Sequence, residues 1–325
     1  MTNKNSILLF LLAIYTLFGA WLSINTGISH DAYHEQENWI ANLSGVKSFL
    51  TTGEYQNLLN YKDRYHGVAF HLFSQPIQFV LSNFIEKISG ASAYGSYLLS
   101  KNVAVFVIFS ISAIFFYLLA IKISKNFNFA LTSTVIYIFY PYLFGHAQIN
   151  PKDIPFLSIW LINTYFFLVF LENIVNEKKI KVLNIAILSF LTAYLISIRI
   201  SGIIIFIQYL IALLVMFNNS KFDSKFFLKE HLKLILYFVV LFVFFLFILN
   251  PIFWYNPMEF FNSIKWMSKY QQDVCTLTLG NCLKSLNLPS SYYFIWLFFK
   301  LPILIIFGFL MFPLIENKIF KKDKI

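Results

Sequence analysis

The amino-acid sequence predicts an all-α polytopic membrane protein with about eight transmembrane helices. Two observations lead to this fold class. Of the 325 residues, 58% are hydrophobic and 20% aromatic, whereas only 12% are charged. A soluble domain of this length lacks the polar side chains to cover so much apolar surface. In addition, the chain contains repeated apolar runs of about 20 residues, which is the length that crosses the hydrocarbon core of a bilayer.

Eight apolar runs are candidate spans, and all of residues 1–325 are assigned to one membrane domain. The first run has the leading charge and apolar stretch of a signal peptide, but it lacks a small-residue cleavage site, so an uncleaved span is predicted. The run from 182 to 217 is too long for one crossing. Arg199, Ser201 and Gly202 near its middle predict a tight hairpin between two short spans. The predicted spans are 6–24, 98–121, 129–146, 154–173, 182–199, 200–217, 232–250 and 293–315.

Clusters of lysine follow every second predicted span. Lys and Arg accumulate on the cytoplasmic side in the short loops of membrane proteins, so these clusters predict one cytoplasmic side that also holds both termini. The net charge of +10 does not indicate a nucleic-acid partner, because no segment combines dense Lys and Arg with polar surroundings. The residues concerned are Lys4, Lys122, Lys125, Lys178, Lys179, Lys181, Lys221, Lys225, Lys229, Lys233, Lys318, Lys321, Lys322 and Lys324.

Two long loops are predicted on the outer side, 25–97 and 251–292. Within the first, residues 66–84 are nearly apolar enough for a ninth span, but their His, Gln and Pro residues favour a segment at the outer membrane interface. Earlier in the same loop, apolar side chains fall near helical spacing. They predict an amphipathic helix that lies flat on the membrane, and a helix packed on the bundle is the alternative. The apolar side chains are Trp39, Ile40, Leu43, Val46, Phe49 and Leu50.

Polar and ionisable residues converge on the outer side from segments far apart in the sequence. Asp31 follows the first span, Lys152 and Asp153 stand in the turn between the third and fourth spans, and Arg199 stands at the hairpin. A buried charge costs several kcal/mol near the middle of a bilayer, so these residues predict an active-site cavity at the outer surface. Five of the six histidines are on the same side: His30, His34, His66, His71 and His146.

Each of these residues also has a structural alternative. Asp31 is suited to capping the helix that follows it, Asp153 to complementing a helix dipole, and Arg199 to reaching phospholipid head groups. No HxxxH or HExxH spacing puts two histidines on one helical face. His30 and His34 are four apart, but Asp31 is expected to mark the helix start between them. We therefore predict no metal site and no cofactor.

The two cysteines, Cys275 and Cys282, lie in the second outer loop. On an oxidising side of the membrane they would form a disulfide that closes a small loop, worth about 2–3 kcal/mol. Two unpaired thiols are the alternative, and the disulfide is favoured. The sequence has no Gly-rich phosphate loop and no nucleotide-binding fingerprint, which argues against a nucleotide-linked donor.

Several segments together resemble the C-type glycosyltransferases, in particular their protein-mannosyltransferase-like branch, family 39. The most specific is "FGHAQINPKDIPF" at 144–156, which is similar to that branch's F-G-H-x-x-x-N-P-K-D-I-P signature. The resemblance runs from about residue 30 to 302, in family order. The other segments are "HDAYHE", "YKDRYHGVAFHL", "SIRISGI", "NPIFWYNPMEFFNSIKWMSK" and "LPSSYYFIWLFFKLPI".

The resemblance implies transfer of a sugar from a polyprenyl-phosphate carrier to an acceptor glycan, lipid or protein, at the outer face of a bacterial inner membrane. Asp31 would be the general base, and attack opposite the leaving phosphate would invert the anomeric centre. The lipid phosphate would bind to fixed cations. The cations would be Arg199 and Lys152, with Arg64 as the third candidate, and the acceptor or sugar would contact Asp153, His146, Asn150 and His66.

Two other functions stay open, one of them because of a departure from that branch. Many relatives carry Asp-Glu where this chain has Asp31-Ala32, so the second carboxylate of that motif is missing. A non-catalytic relative of the transferases is one alternative. A transporter or flippase for a lipid-linked intermediate is the other, although alternating access favours internal repeats and polar groups at mid-membrane.

Overall fold

The computed structural model describes residues 3–176, 180–219, 224–269, 275–284, 287–303, 305–308 and 310–311. Most of these residues are helical. The helices are α1 (Asn3–Asn25), α2 (His30–Thr52), α3 (Gln56–Leu59), α4 (Phe70–Ser89), α5 (Ala93–Ser124), α6 (Phe127–Phe139), α7 (Pro141–Ile149), α8 (Asp153–Val175), α9 (Val182–Ile198), α10 (Ile205–Asn219), α11 (Ser224–Leu249), α12 (Ile252–Tyr255), α13 (Glu259–Ser268) and α14 (Tyr292–Lys300).

Within the described residues, five helical segments are long and apolar enough to cross a membrane, or six if the bent pair α6 and α7 is one span. The chain is thus an all-α polytopic membrane protein in its coarse class, as the sequence predicts, whereas a count of eight spans is not confirmed. The five segments are Ser6–Asn25, Ala93–Ser124, Asp153–Val175, Ile200–Phe217 and His231–Leu249.

Three predicted spans differ in the structure. The run 129–146 is broken before Pro141 into α6 and α7, which meet at 54°, because proline has no N–H and disfavours a helical residue before it. The run 182–199 is the 17-residue helix α9, which is short for a crossing. Of the run 293–315, α14 covers the first part, and residues 312–315 lie outside the described residues.

The chain turns back on itself at Arg199, as predicted. Arg199 is extended, with φ −146° and ψ 130°, between α9 and a 3₁₀ turn at Ile200–Ile204. A Cβ at Gly202 would be 2.9 Å from the carbonyl oxygen of Leu195, so only glycine allows this close return. Beyond the turn, the hydroxyl of Tyr209 lies 2.9 Å from that of Thr192. In a continuous helix, 17 residues would separate the two by about 25 Å.

Helix α5 is the centre of the packing. It contacts α1, α4, α6, α7 and α8. Helix α4 packs along it through a small apolar cluster that contains Ile85, Leu99 and Val103. The segment predicted at the membrane interface, 66–84, is thus mostly part of α4, a continuous 20-residue helix that contains Pro76.

Helix α2 turns its polar face toward the rest of the protein. The residues buried on it include Glu35, Gln36, Asn38 and Asn42, whereas Ile40, Leu43, Phe49 and Leu50 of the predicted apolar stripe are exposed. Trp39 and Val46 are half-buried, and the ring of Trp39 stacks on that of His71 at 5.1 Å between centroids. The helix therefore packs on the protein by its polar side and leaves an apolar side uncovered.

The chain divides into two compact units, Met1–Ile264 and Lys265–Ile325. The assignment of residues 1–325 to one membrane domain stays a prediction. The second unit contains a two-stranded antiparallel sheet that the sequence did not indicate, β1 (Cys275–Thr278) and β2 (Asn281–Lys284). Leu279 and Gly280 at its turn both have positive φ, as a two-residue hairpin requires. Cys275 and Cys282 form the favoured disulfide.

Candidate functional site

The turn between α7 and α8 is held in shape by Asn150. Its side-chain oxygen accepts hydrogen bonds from the backbone N–H groups of Lys152 at 3.1 Å and of Asp153 at 2.8 Å. Asparagine commonly stabilises turns and helix starts in this way. Since Pro151 follows, Asn150 itself is extended. The sequence N-P-K-D thus fixes two adjacent charged residues, each of which contacts a different group of partners.

Asp153 belongs to the more exposed group. Its carboxylate forms an ion pair with Arg199 and accepts a 3.1 Å hydrogen bond from the side-chain amide of Asn150. The same amide donates to Nδ1 of His146 at 3.1 Å. The side chains of Arg199 and Asp153 are 41% and 53% exposed, so this ion pair is screened by solvent and contributes little to stability. It is accessible to a ligand.

Lys152 belongs to the more buried group. Its ammonium donates to Glu35 Oε1 at 2.6 Å and to Nδ1 of His66 at 3.0 Å. Nε2 of His66 lies 3.8 Å from Oδ1 of Asp63, and Oδ2 of Asp63 lies 3.9 Å from Nε2 of His34. Burial, with a smaller effect of the charges on Lys152, His34 and Arg199, lowers the pKa of His66 to about 3. His66 is therefore a neutral imidazole that accepts from Lys152.

A close backbone approach positions the loop that carries Asp63 and His66. A Cβ at Gly67 would overlap the carbonyl oxygen of Ser197 and lie 2.6 Å from that of Ile198. The backbone N–H of Ala69 donates to the same Ser197 oxygen at 3.2 Å. Glycine at 67 thus allows the loop to lie against the end of α9, directly before Arg199.

Asp31 is in the first turn of α2, but it is not the cap. Ser29 is the N-cap, and its hydroxyl accepts from the N–H of Ala32 at 3.2 Å and donates to the carbonyl of Ile149 at 3.0 Å. The capping alternative for Asp31 is therefore wrong. Asp31 is exposed, and its side chain makes no hydrogen bond or ion pair with any residue that the structure describes. It shares a helix face with Glu35, four residues later.

Arg64 lies in the same loop as His66 but outside this network. Its guanidinium lies over the ring of Tyr65, at 4.7 Å from the centroid. Arg64 and His66 both line a small cavity of about 20 Å³. An apolar cavity of about 140 Å³, lined partly by Trp39 and Trp254, shares Asn42 and Val68 with the small one. Among the described residues, Arg64 has no carboxylate partner.

A lysine inside a membrane-spanning helix is an ionisable residue that was not among the predicted site residues. Lys101 of α5 is fully buried and donates to the side-chain oxygen of Gln36 at 2.9 Å. Ionisable residues inside spans are rare and usually functional. Burial lowers the pKa of the neighbouring His71, and the charge on Lys101 adds to this effect. Lys101 could have been found from its position within an apolar run.

The structure brings most of the predicted site residues together. His146, Asn150, Asp153 and Arg199 form one chain of contacts, Lys152 and His66 form another, and the turn at 150–153 joins the two. Ser29, two residues before Asp31, contacts Ile149 directly before this turn, and Arg64 lines a cavity together with His66. Glu35 and Asp63, the carboxylates next to Lys152 and His66, were not among the predicted site residues. Glu35 was signalled only by its spacing of four from Asp31.

No family model matches the chain, and no curated protein or solved structure matches it either. The site itself indicates which chemistry it can perform. It combines an exposed, unpaired carboxylate, one cation without a carboxylate partner and two cations paired with carboxylates. A neutral imidazole lies among them. Such a set can take a proton from a hydroxyl and bind an anion.

Proposed function

We propose that the chain transfers a sugar from a polyprenyl-phosphate carrier to an acceptor hydroxyl at the outer face of the membrane. It would be a C-type glycosyltransferase similar to the protein-mannosyltransferase-like branch. One observation carries the proposal. The segments that resemble this branch are far apart in the sequence, yet their polar residues meet in one network, in which Lys152 contacts both Glu35 and His66.

Asp31 is the proposed general base. A base must keep its lone pairs for the incoming hydroxyl, and proton transfer to such a group accounts for about two to four orders of magnitude in rate. Asp31 is exposed, and Ser29 rather than Asp31 caps the helix, so its carboxylate is available. Attack by the acceptor oxygen opposite the leaving phosphate would invert the anomeric carbon.

The proposed phosphate site uses Arg64, Lys152 and Arg199. Cations aimed at the leaving phosphate stabilise the negative charge that grows on it in the transition state. Arg64 ranks first, because Lys152 and Arg199 are already paired with Glu35 and Asp153. A phosphate must compete with these carboxylates for either cation, whereas Arg64 offers a planar guanidinium that can donate two parallel hydrogen bonds.

The remaining polar residues are proposed to contact sugar and acceptor. Asn150 and His146 have side-chain groups that suit sugar hydroxyls, and Asp153 is accessible beside them. Neutral His66 can hydrogen-bond without adding charge. The acceptor is a glycan, lipid or protein, and the predicted setting is a bacterial inner membrane with cytoplasmic termini. The exposed apolar side of α2 suits contact with membrane lipids.

A transporter or flippase for a lipid-linked intermediate is the second candidate, because Lys101 is an ionisable residue buried inside a span. A non-catalytic relative is the third, because Ala32 replaces the second carboxylate of the acidic motif. The transporter and the non-catalytic relative make the same prediction for Asp31, and it differs from that of the transferase. Neither requires the carboxylate of Asp31 for turnover of a sugar donor.

Sugar transfer in membranes tests the proposal. Wild type, Asp31→Asn and the matched control Glu37→Gln, an exposed carboxylate elsewhere on α2, are expressed to equal folded abundance. Labelled polyprenyl-phosphate sugars are supplied with a crude acceptor pool. We expect transfer by wild type and Glu37→Gln and a loss of at least about 100-fold in Asp31→Asn. Equal transfer by Asp31→Asn would remove this base, and no transfer by wild type would favour the rivals.

A further inference from the structure

Three side chains meet beside Lys152, and no proposed step of sugar transfer requires all three together. They are His34 of α2 and Asp63 and His66 of the loop before α4. Each offers one ligand atom, and these atoms all lie within 4.8 Å of one another. The two imidazole rings are edge to face, with their centroids 5.4 Å apart. The group lies wholly in the first compact unit, so its geometry depends on one body.

The spacing is too wide for direct hydrogen bonds. The two Nε2 to carboxylate distances are 3.8 and 3.9 Å, and a hydrogen bond needs about 3 Å. Ligands that surround a metal at about 2 Å each end up about 3 to 3.5 Å from one another. Shortening these two distances by about half an ångström, and the widest separation in the group, which is at most 4.8 Å, by up to about 1.5 Å, would bring the atoms around one ion.

One carboxylate oxygen of Asp63 is an unsatisfied hydrogen-bond acceptor among the described residues. This oxygen, Oδ1, is buried and accepts no hydrogen bond from any described residue, and a buried, unsatisfied carboxylate oxygen is costly. Among the described residues, no lysine or arginine forms an ion pair with Asp63, and the two cations of the network are paired elsewhere, Lys152 with Glu35 and Arg199 with Asp153. A cation between Asp63 and the two imidazoles would satisfy this oxygen.

We propose that His34, Asp63 and His66 bind one divalent transition-metal ion. Two imidazole nitrogens and one carboxylate are a ligand set that Zn²⁺ and related metals take, and three protein ligands leave a position open for water or another oxygen ligand. This inference goes beyond the proposed sugar transfer, which needs no metal. The ion would tie α2 to the loop that carries Arg64.

Metal binding would change the contacts of Lys152. A neutral imidazole that binds a metal through Nε2 carries its proton on Nδ1. The Nδ1 of His66 could then no longer accept the 3.0 Å hydrogen bond from Lys152, and Lys152 would keep its bond to Glu35 alone. The ion would thus free one donor of Lys152, as an outer-shell effect of the metal.

Direct metal binding tests the inference without any measure of sugar transfer. The full chain, purified without a polyhistidine tag and stripped with a chelator, is titrated with Zn²⁺, and bound zinc is counted after dialysis. Co²⁺ serves as the optical probe, since nitrogen and oxygen ligands give it visible absorption bands. The variants are His34→Gln, Asp63→Asn and, as control, His30→Gln, an exposed histidine one turn earlier on α2.

We expect one Zn²⁺ per wild-type or His30→Gln chain and a loss of affinity of at least about tenfold in His34→Gln and Asp63→Asn. His34 is about a third exposed, so its variant should fold, which elution as a single species at the wild-type volume verifies. Less than one zinc per wild-type chain at saturation would overturn the inference. So would equal affinity of wild type and both ligand variants.

Discussion

The ammonium of Lys152 donates a 2.6 Å hydrogen bond to the carboxylate of Glu35, which precedes it by 117 positions. Only 12% of the Lys152 side chain and 7% of the Glu35 side chain are exposed. A buried ion pair is costly to desolvate, but removing one partner is costlier still, because the other charge is left buried and unpaired. The pair therefore fixes the start of α8 against the first half of α2.

Replacing Glu35 should destabilise the protein, and the loss should be larger when the new side chain leaves no hydrogen-bond acceptor for the ammonium of Lys152. We expect Glu35→Ala to lower the free energy of unfolding by about 3–5 kcal/mol, the usual cost of breaking a buried pair. Glu35→Gln should cost less, since its amide oxygen can still accept from the ammonium. Denaturant titration in detergent micelles measures both, and Glu37→Gln should stay close to wild type. Equal costs for the two Glu35 variants would contradict this account.

Gly67 should tolerate no side chain. In Gly67→Ala the new methyl group would meet the backbone carbonyls of Ser197 and Ile198, which cannot rotate away as a flexible side chain can. We expect a loss of about 1–3 kcal/mol, as for other overpacked sites. Thermal stability in detergent is the measurement.

Gly145→Ala is the matched control for Gly67→Ala. Gly145 lies inside α7 and has nothing within 4 Å of an added Cβ. Alanine should therefore gain about 0.5–1 kcal/mol through helix propensity. A Gly67→Ala protein as stable as wild type would show that the loop does not depend on this close approach.

The polar turn and the helix break were predictable because their causes are local. N-P-K-D sets the turn at 150–153, and Arg199 with Gly202 marks the reversal after α9. The partners of Lys152 were not predictable in this way, since they depend on which face of α2 is buried. An apolar stripe in the sequence shows which face of the helix is polar, but it does not show which residues that polar face contacts.

Averaging the hydropathy over a long window also conceals single residues inside the predicted spans. Pro141 breaks the predicted third span into two helices, yet a long apolar window passes over a single proline. Lys101 was overlooked for the same reason, because one lysine changes the mean hydropathy of a 32-residue helix very little. Hydropathy averaged over a long window therefore does not reveal a single proline or lysine that conflicts with its apolar surroundings.

His71 should make the stability of the protein depend on pH. Burial holds the pKa of His71 well below its usual 6.5, so the unfolded chain binds this proton more tightly than the folded one. The contribution of neutral His71 to the free energy of unfolding is present above pH 6.5. It is lost as the pH falls below 6.5, by up to about 1.4 kcal/mol per pH unit.

The matching test compares the pH dependence of His71→Gln with that of wild type. Between pH 7 and pH 5 the loss of unfolding free energy should be smaller in His71→Gln by about 2 kcal/mol. His30→Gln, an exposed histidine, should keep the wild-type dependence. Parallel curves for wild type and His71→Gln would mean that the pKa of His71 is similar in the folded and the unfolded protein.

Arg64 should matter more for the phosphate of the donor than its neighbour Lys62 does. Among the described residues, Arg64 has no carboxylate partner and lines the cavity beside His66, whereas Lys62 is exposed on the same loop. If Arg64 donates to the leaving phosphate, Arg64→Ala loses a charge-assisted contact worth about 1.5–3 kcal/mol. That loss corresponds to a drop in kcat/KM for the polyprenyl-phosphate sugar of about 10- to 150-fold. Lys62→Ala should retain wild-type transfer, and an equal drop in both variants would indicate general loss of positive charge rather than a contact made by Arg64.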